Sequence, residues 1–151
     1  MHVLTSLDRP VPAPELTTGF LQQRQGSDVS CQSIYSADYV LRALDLLGAS
    51  PLFDPDDFLH SQLEDTLSIV SQPYYGLSNS FLQSLGRAVA ILTLRHQEPS
   101  PAVKTEVVAA VRPYKLPEGG FGVDHASIYS TYNAVQALSF SPSDCLAGVS
   151  Q

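Results

Sequence analysis

Asp124 and His125 stand side by side in the stretch Leu116–Leu138, LPEGGFGVDHASIYSTYNAVQAL. A carboxylate beside an imidazole is a residue pair suited to moving a proton near neutral pH. The plainer reading is a helix cap followed by a solvated histidine. Asp38 is a further candidate acid or base, set in an otherwise apolar stretch with Arg42 four residues on. That spacing places both on one helix face as a salt bridge. Turned into a cavity instead, Asp38 would hold its proton more tightly and serve acid–base chemistry. Tyr35, Tyr39, Tyr129 and Tyr132 open two apolar stretches. Their ring faces suit a pocket that binds a hydrophobic molecule and steadies a passing carbocation, or ordinary packing between helices with the hydroxyls satisfied. Asn133 orients a ligand or satisfies a helix contact, and Phe121 is an aromatic anchor between two glycines. Asp54, Asp56 and Asp57 form the run DPDD. A buried member of such a cluster stays neutral and donates a proton, but at the start of an amphipathic stretch the same carboxylates cap a helix.

The elements that carry these residues repeat. Residues 33–44, SIYSADYVLRAL, and residues 127–138, SIYSTYNAVQAL, lie 94 positions apart, twice 47. Half that offset lands on Ser80-Phe81-Leu82, and Ala43, Ala90 and Ala137 align. A period of about 47 residues signals stacked repeats, each too small to bury its own apolar face. Each copy has helical spacing: Ile34, Ala37, Leu41, Leu44 and Leu47 ahead of Gly48, then Ser80–Leu94, then Ser127–Phe140 before Pro142. Polar positions are few, so these inner helices are expected to be covered on more than one side. Asp56–Val70 and Pro101–Val111 read as amphipathic outer helices. Phe58, Leu59, Leu63, Thr66, Leu67 and Val70 form one stripe, and Val103, Val107, Val108 and Val111 the other. The expected organisation is an extended arm over 1–17, one all-α repeat domain over 18–142 and a polar tail over 143–151.

Composition narrows the function. Charged residues are 15% of the chain and net charge is −7, against a usual charged share of about 25%. So few charges mean extensive burial or apolar surface given to a partner. With no basic cluster, nucleic acid is not an expected partner. The apolar run Ala88–Leu92 is far below the roughly 20 residues of a membrane span, so no transmembrane segment is expected. No signal peptide is read at the N-terminus. Cys31 and Cys145 make no disulfide framework and have no evident activating partner, so a reduced, cytoplasmic protein is expected.

Gly119, Gly120 and Gly122 around Phe121 give a tight turn ahead of the third copy. QPYYGLSNSF, with Tyr74 at the Phe121 position, is a degraded version, and Thr17–Gly26 a more distorted remnant. This turn followed by Tyr129, Thr131, Tyr132, Ala134, Ala137 and Leu138 resembles the prenyltransferase and squalene/terpene-cyclase repeat family. Tyr35, Tyr39, Ala43 and Leu44 match less closely, and the resemblance spans Thr18–Phe140. It implies α/α-hairpin repeats, here three and so a half toroid, with inner ends around an aromatic cavity for isoprenoid chains. An extended HEAT-like solenoid is the other arrangement open. Active sites of the family lie near the N-terminal ends of inner helices, where Asp124 and His125 fall. The family's zinc histidine falls at Ser130, and Asp28 and Cys31 are spaced by three rather than two, so no metal and no cofactor is expected. DPDD has the form of the family's protonating motif but opens an outer helix.

The implied function is binding of a hydrophobic isoprenoid or polyketide-like substrate and its cyclisation or isomerisation without metal, with a homodimer completing the ring. The alternative is a non-catalytic α-solenoid module clasping a partner protein.

Overall fold

The computed structural model describes residues 11–25, 33–72 and 76–140. Its elements are α1 (Pro14–Gln23), α2 (Ile34–Leu46), α3 (Asp56–Ser68), α4 (Asn79–Leu94), α5 (Pro101–Val111) and α6 (Ile128–Ala137). Three-residue 3-10 turns, Ile69–Ser71 and Arg112–Tyr114, follow α3 and α5. The fold is all-α. Among the described residues the β-type pairing is one isolated antiparallel bridge between Lys115 and Phe121.

The arm expected over residues 1–17 is corrected at its end, because α1 starts at Pro14. Proline suits the first helical turn, where its missing N–H is not needed, and Glu15 meets the positive end of the dipole. The glycine-turn remnant proposed from Thr17 onward is helix through Gln23. The first ten residues, Asp28, Cys31, Tyr74, Cys145 and the expected tail lie outside the described residues.

Local chemistry repeats where the sequence does. Ser33 and Ser127 are both extended N-caps whose hydroxyls accept from the N–H three residues on, at 3.2 Å from Ser36 and 3.0 Å from Ser130. In the middle copy the cap is Ser78, without a side-chain bond, so α4 starts at Asn79 rather than Ser80. At the C-terminal ends, Gly48 (φ +64°) and His96 (φ +57°) are left-handed. Each is followed by the same closing bond, Ala49 N–H to the Leu44 carbonyl at 2.9 Å and Gln97 N–H to that of Leu92 at 2.8 Å. At α5, Ser100 caps Val103, and Lys104 Nζ lies 2.7 Å from Glu98 Oε2. The hydrogen bond and the charge of Lys104 hold the exposed Glu98 carboxyl below its ordinary range.

The chain divides into two compact units, Met1–Phe58 and Leu59–Gln151. In the first, the buried Gln25 fastens the end of α1. Its carbonyl accepts from Leu52 N–H (2.8 Å) and Phe53 N–H (3.1 Å), and its amide donates to the Phe53 carbonyl (2.5 Å). Gln22 donates to the Ser50 carbonyl at 2.9 Å. On α2, Ile34, Ala37, Val40, Leu41 and Leu44 are buried.

The second unit is built on α4 against α6. Backbones approach closely at Gly86, where a Cβ would stand less than 2.5 Å from the Asn133 carbonyl oxygen. The Phe81 ring stacks on Tyr114 at 6.0 Å between centroids, and the Tyr114 hydroxyl accepts from Ser78 N–H at 3.0 Å. Thus the turn after α5 covers the N-terminal half of α4. Eight of the sixteen α4 residues are buried, as expected for a helix covered on several sides. The α6 helix departs from that expectation: Ser130, Asn133, Ala134 and Ala137 are buried, while Ile128, Tyr129, Tyr132 and Val135 are exposed. The outer stripes are narrower than the spacing predicts. On α3 the buried positions are Leu59, Leu63 and Leu67, and Val70 is exposed because the helix tightens at Ile69. On α5 they are Val107, Ala110 and Val111.

Candidate functional site

The loop ahead of α6 is a closed device. Leu116 N–H donates to the Gly120 carbonyl (3.2 Å), Gly122 N–H to that of Tyr114 (2.9 Å), and Ser127 N–H to that of Phe121 (3.3 Å). Phe121 N–H donates to Thr131 Oγ1 at 3.0 Å, tying the turn to the first turn of α6. Gly120 has φ +76°, and a Cβ there would meet Thr131 Oγ1 at 2.9 Å. At Gly122 a Cβ would collide with the His125 carbonyl. The GGFG turn therefore fixes the N-terminal end of α6 through backbone bonds that larger residues would block.

Beside this loop Ala126, Ser127, Ile128, Thr131, Tyr132 and Val135 line an open, mostly apolar depression. Tyr132 stands in it half exposed, its hydroxyl accepting from Gln136 Nε2 at 2.8 Å. Tyr129 is also half exposed, and its carbonyl accepts from Asn133 Nδ2 at 2.8 Å. Asn133 is buried against Gly86, so its side chain serves the helix rather than the depression. Phe121 is half-buried in the turn. Asp124 and His125 are exposed, and the cap expected of Asp124 is supplied by Ser127.

Ser130, which the sequence resemblance set at a zinc-histidine position, is buried in a chain of hydroxyls. Ser127 Oγ–H donates to Ser130 Oγ (2.9 Å), and Ser130 Oγ–H donates to Asn79 Oδ1 (3.0 Å). Its chemistry is to bind α6 to α4. Among the described residues no three His, Cys, Asp or Glu side chains gather as a metal shell would require.

The remaining candidates belong to the first unit. Asp38 is buried, and its Oδ1 lies 2.5 Å from Arg42 Nε, which makes it half of an ion pair. Tyr39 is exposed and Tyr35 half-buried. Asp54 Oδ1 accepts from Asp56 N–H at 3.2 Å, and Asp56 and Asp57 occupy the first turn of α3, the capping role. The depression between the C-terminal parts of α3 and α5, lined by Leu67, Val70, Ser71, Glu106, Ala109 and Ala110, contains none of the candidate catalytic or binding residues.

What sequence reasoning missed is the openness of α6. The signal was available in part: Ile128–Ala137 holds no charged residue, so no side chain marks a solvent face. No family model matches the chain, and no curated protein or solved structure matches it either. Among the described residues no helix is long and apolar enough to cross a membrane.

Proposed function

We propose that the chain is a non-catalytic α-helical repeat module that takes an apolar, helical partner on the open face of α6. The observation that carries this is the exposure of Ile128, Tyr132 and Val135 on an uncharged helix whose start is held rigidly by the glycine turn. A rigid surface loses little entropy on binding, and exposed apolar area is what a partner helix buries. Among the described residues, serine caps on α2, α4, α5 and α6 and 3-10 turns after α3 and α5 support reading the helices as repeats of the prenyltransferase and terpene-cyclase type, arranged as half a toroid. Small-angle scattering tests that arrangement, since a compact particle fits it and an elongated one fits a HEAT-like solenoid.

One observation favours a second reading, a metal-independent cyclase or isomerase for an isoprenoid or polyketide-like substrate. Asp124 and His125 directly precede Ala126 and Ser127, which line the depression that holds Tyr132. A photo-cross-linking phenylalanine analogue placed at Tyr132, with one at Asp65 as control, separates the two in the producing cell. A protein-sized adduct at position 132 alone is the expected result. An adduct of a few hundred daltons would transfer the assignment to the enzyme, and no adduct would remove α6 as a binding face.

A further inference from the structure

The three copies of the repeat share a sequence but not an environment. Ile34 and Leu41 of the first copy are 5% and 4% exposed, and Phe81 and Ala88 at the same positions of the second are 6% and 0%. Ile128 and Val135 of the third are 93% and 57% exposed. Position by position, α6 leaves open the face that α2 and α4 bury. For α4 the covering element is known, because Phe81 stacks on Tyr114 in the turn that ends the next outer helix, α5. The face of α6 is therefore shaped to receive an outer helix.

One other helix, α1, has an exposed apolar side. No residue of α1 is buried, and Leu16 and Phe20, one helical turn apart, are exposed, Phe20 beside the Arg24 guanidinium. The two helices match in length, ten residues each, or about 15 Å. Leu16 and Phe20 on one side, and Ile128, Tyr132 and Val135 on the other, are uncharged, and the Arg24 guanidinium over the Phe20 ring borders the contact.

We infer that α1 of a second copy of this chain is the helix that covers α6. The inference rests on the α6 binding face proposed above and names its occupant. In a two-fold dimer the contact is made twice, α1 on the partner's α6 and the reverse, so even a small patch is doubled. Phe20→Glu and Val135→Glu both fall on exposed positions, so circular dichroism should show unchanged helicity. Sedimentation equilibrium should show each variant associating about tenfold or more weakly than the unaltered chain, since Phe20→Glu removes the aromatic ring from the contact and Val135→Glu sets a carboxylate into an apolar patch. An equimolar mixture of the two variants should regain association, because one wild-type α1–α6 contact can form between them. If Phe20→Glu associates as the unaltered chain does while Val135→Glu does not, the binding face stands and α1 is not its occupant. If neither variant weakens association, or the unaltered chain is monomeric throughout, α1 of a second copy is not the occupant, and the cross-link at Tyr132 then decides whether the face takes another partner.

Discussion

Gly86 is the residue on which the packing of the second unit turns. Its missing side chain lets α4 reach the Asn133 carbonyl of α6, and no rotamer adjustment relieves a contact made by a Cβ against backbone. Gly86→Ala should therefore destabilise the protein by about 2 kcal/mol or more, although alanine is the better helix former by about 1 kcal/mol. Thermal denaturation checks the sign, and an unchanged or raised midpoint would refute the close approach. At this scale the chemistry visible in the sequence was ambiguous in a definable way. Asp38 with Arg42 looked like a pair from spacing alone and is one. Asn133 looked equally suited to ligand or helix, and only the position of Gly86, forty-seven residues earlier, decides for the helix. Asp124 read as a cap because it stands near a helix start, yet Ser127 is closer to the first turn and takes that role.

At the scale of elements, the two closing turns of α2 and α4 differ in one residue. Gly48 takes the left-handed conformation freely, whereas His96 takes it at φ +57° against its own Cβ. His96→Gly should raise stability by about 1 kcal/mol, read as a higher melting temperature with unchanged helicity. A lower melting temperature would mean that the imidazole makes a stabilising contact. The inner helices and the two later outer helices were legible because apolar residues at intervals of three and four face one side whatever the tertiary context. α1 was not: extended chain was expected through residue 17, although Pro14 opens α1 in the first turn as Pro101 opens α5. Periodicity identified α6 as a helix but carried no information on its neighbours. Coverage depends on what stands opposite, which one chain's spacing cannot encode.

For the whole molecule, the account centres on an apolar helix face that its own repeat logic says should be covered. In the first two copies the equivalent positions are buried, so the open face of α6 is the place where the stack continues into something else. Low charge over the chain is consistent with apolar surface reserved for association. The most direct measurement is the absolute mass in solution by light scattering coupled to size exclusion, taken over a range of loading concentrations. The account predicts a mass that rises toward twice 16.3 kDa as concentration increases. A mass that stays at 16.3 kDa up to the highest concentration would contradict it.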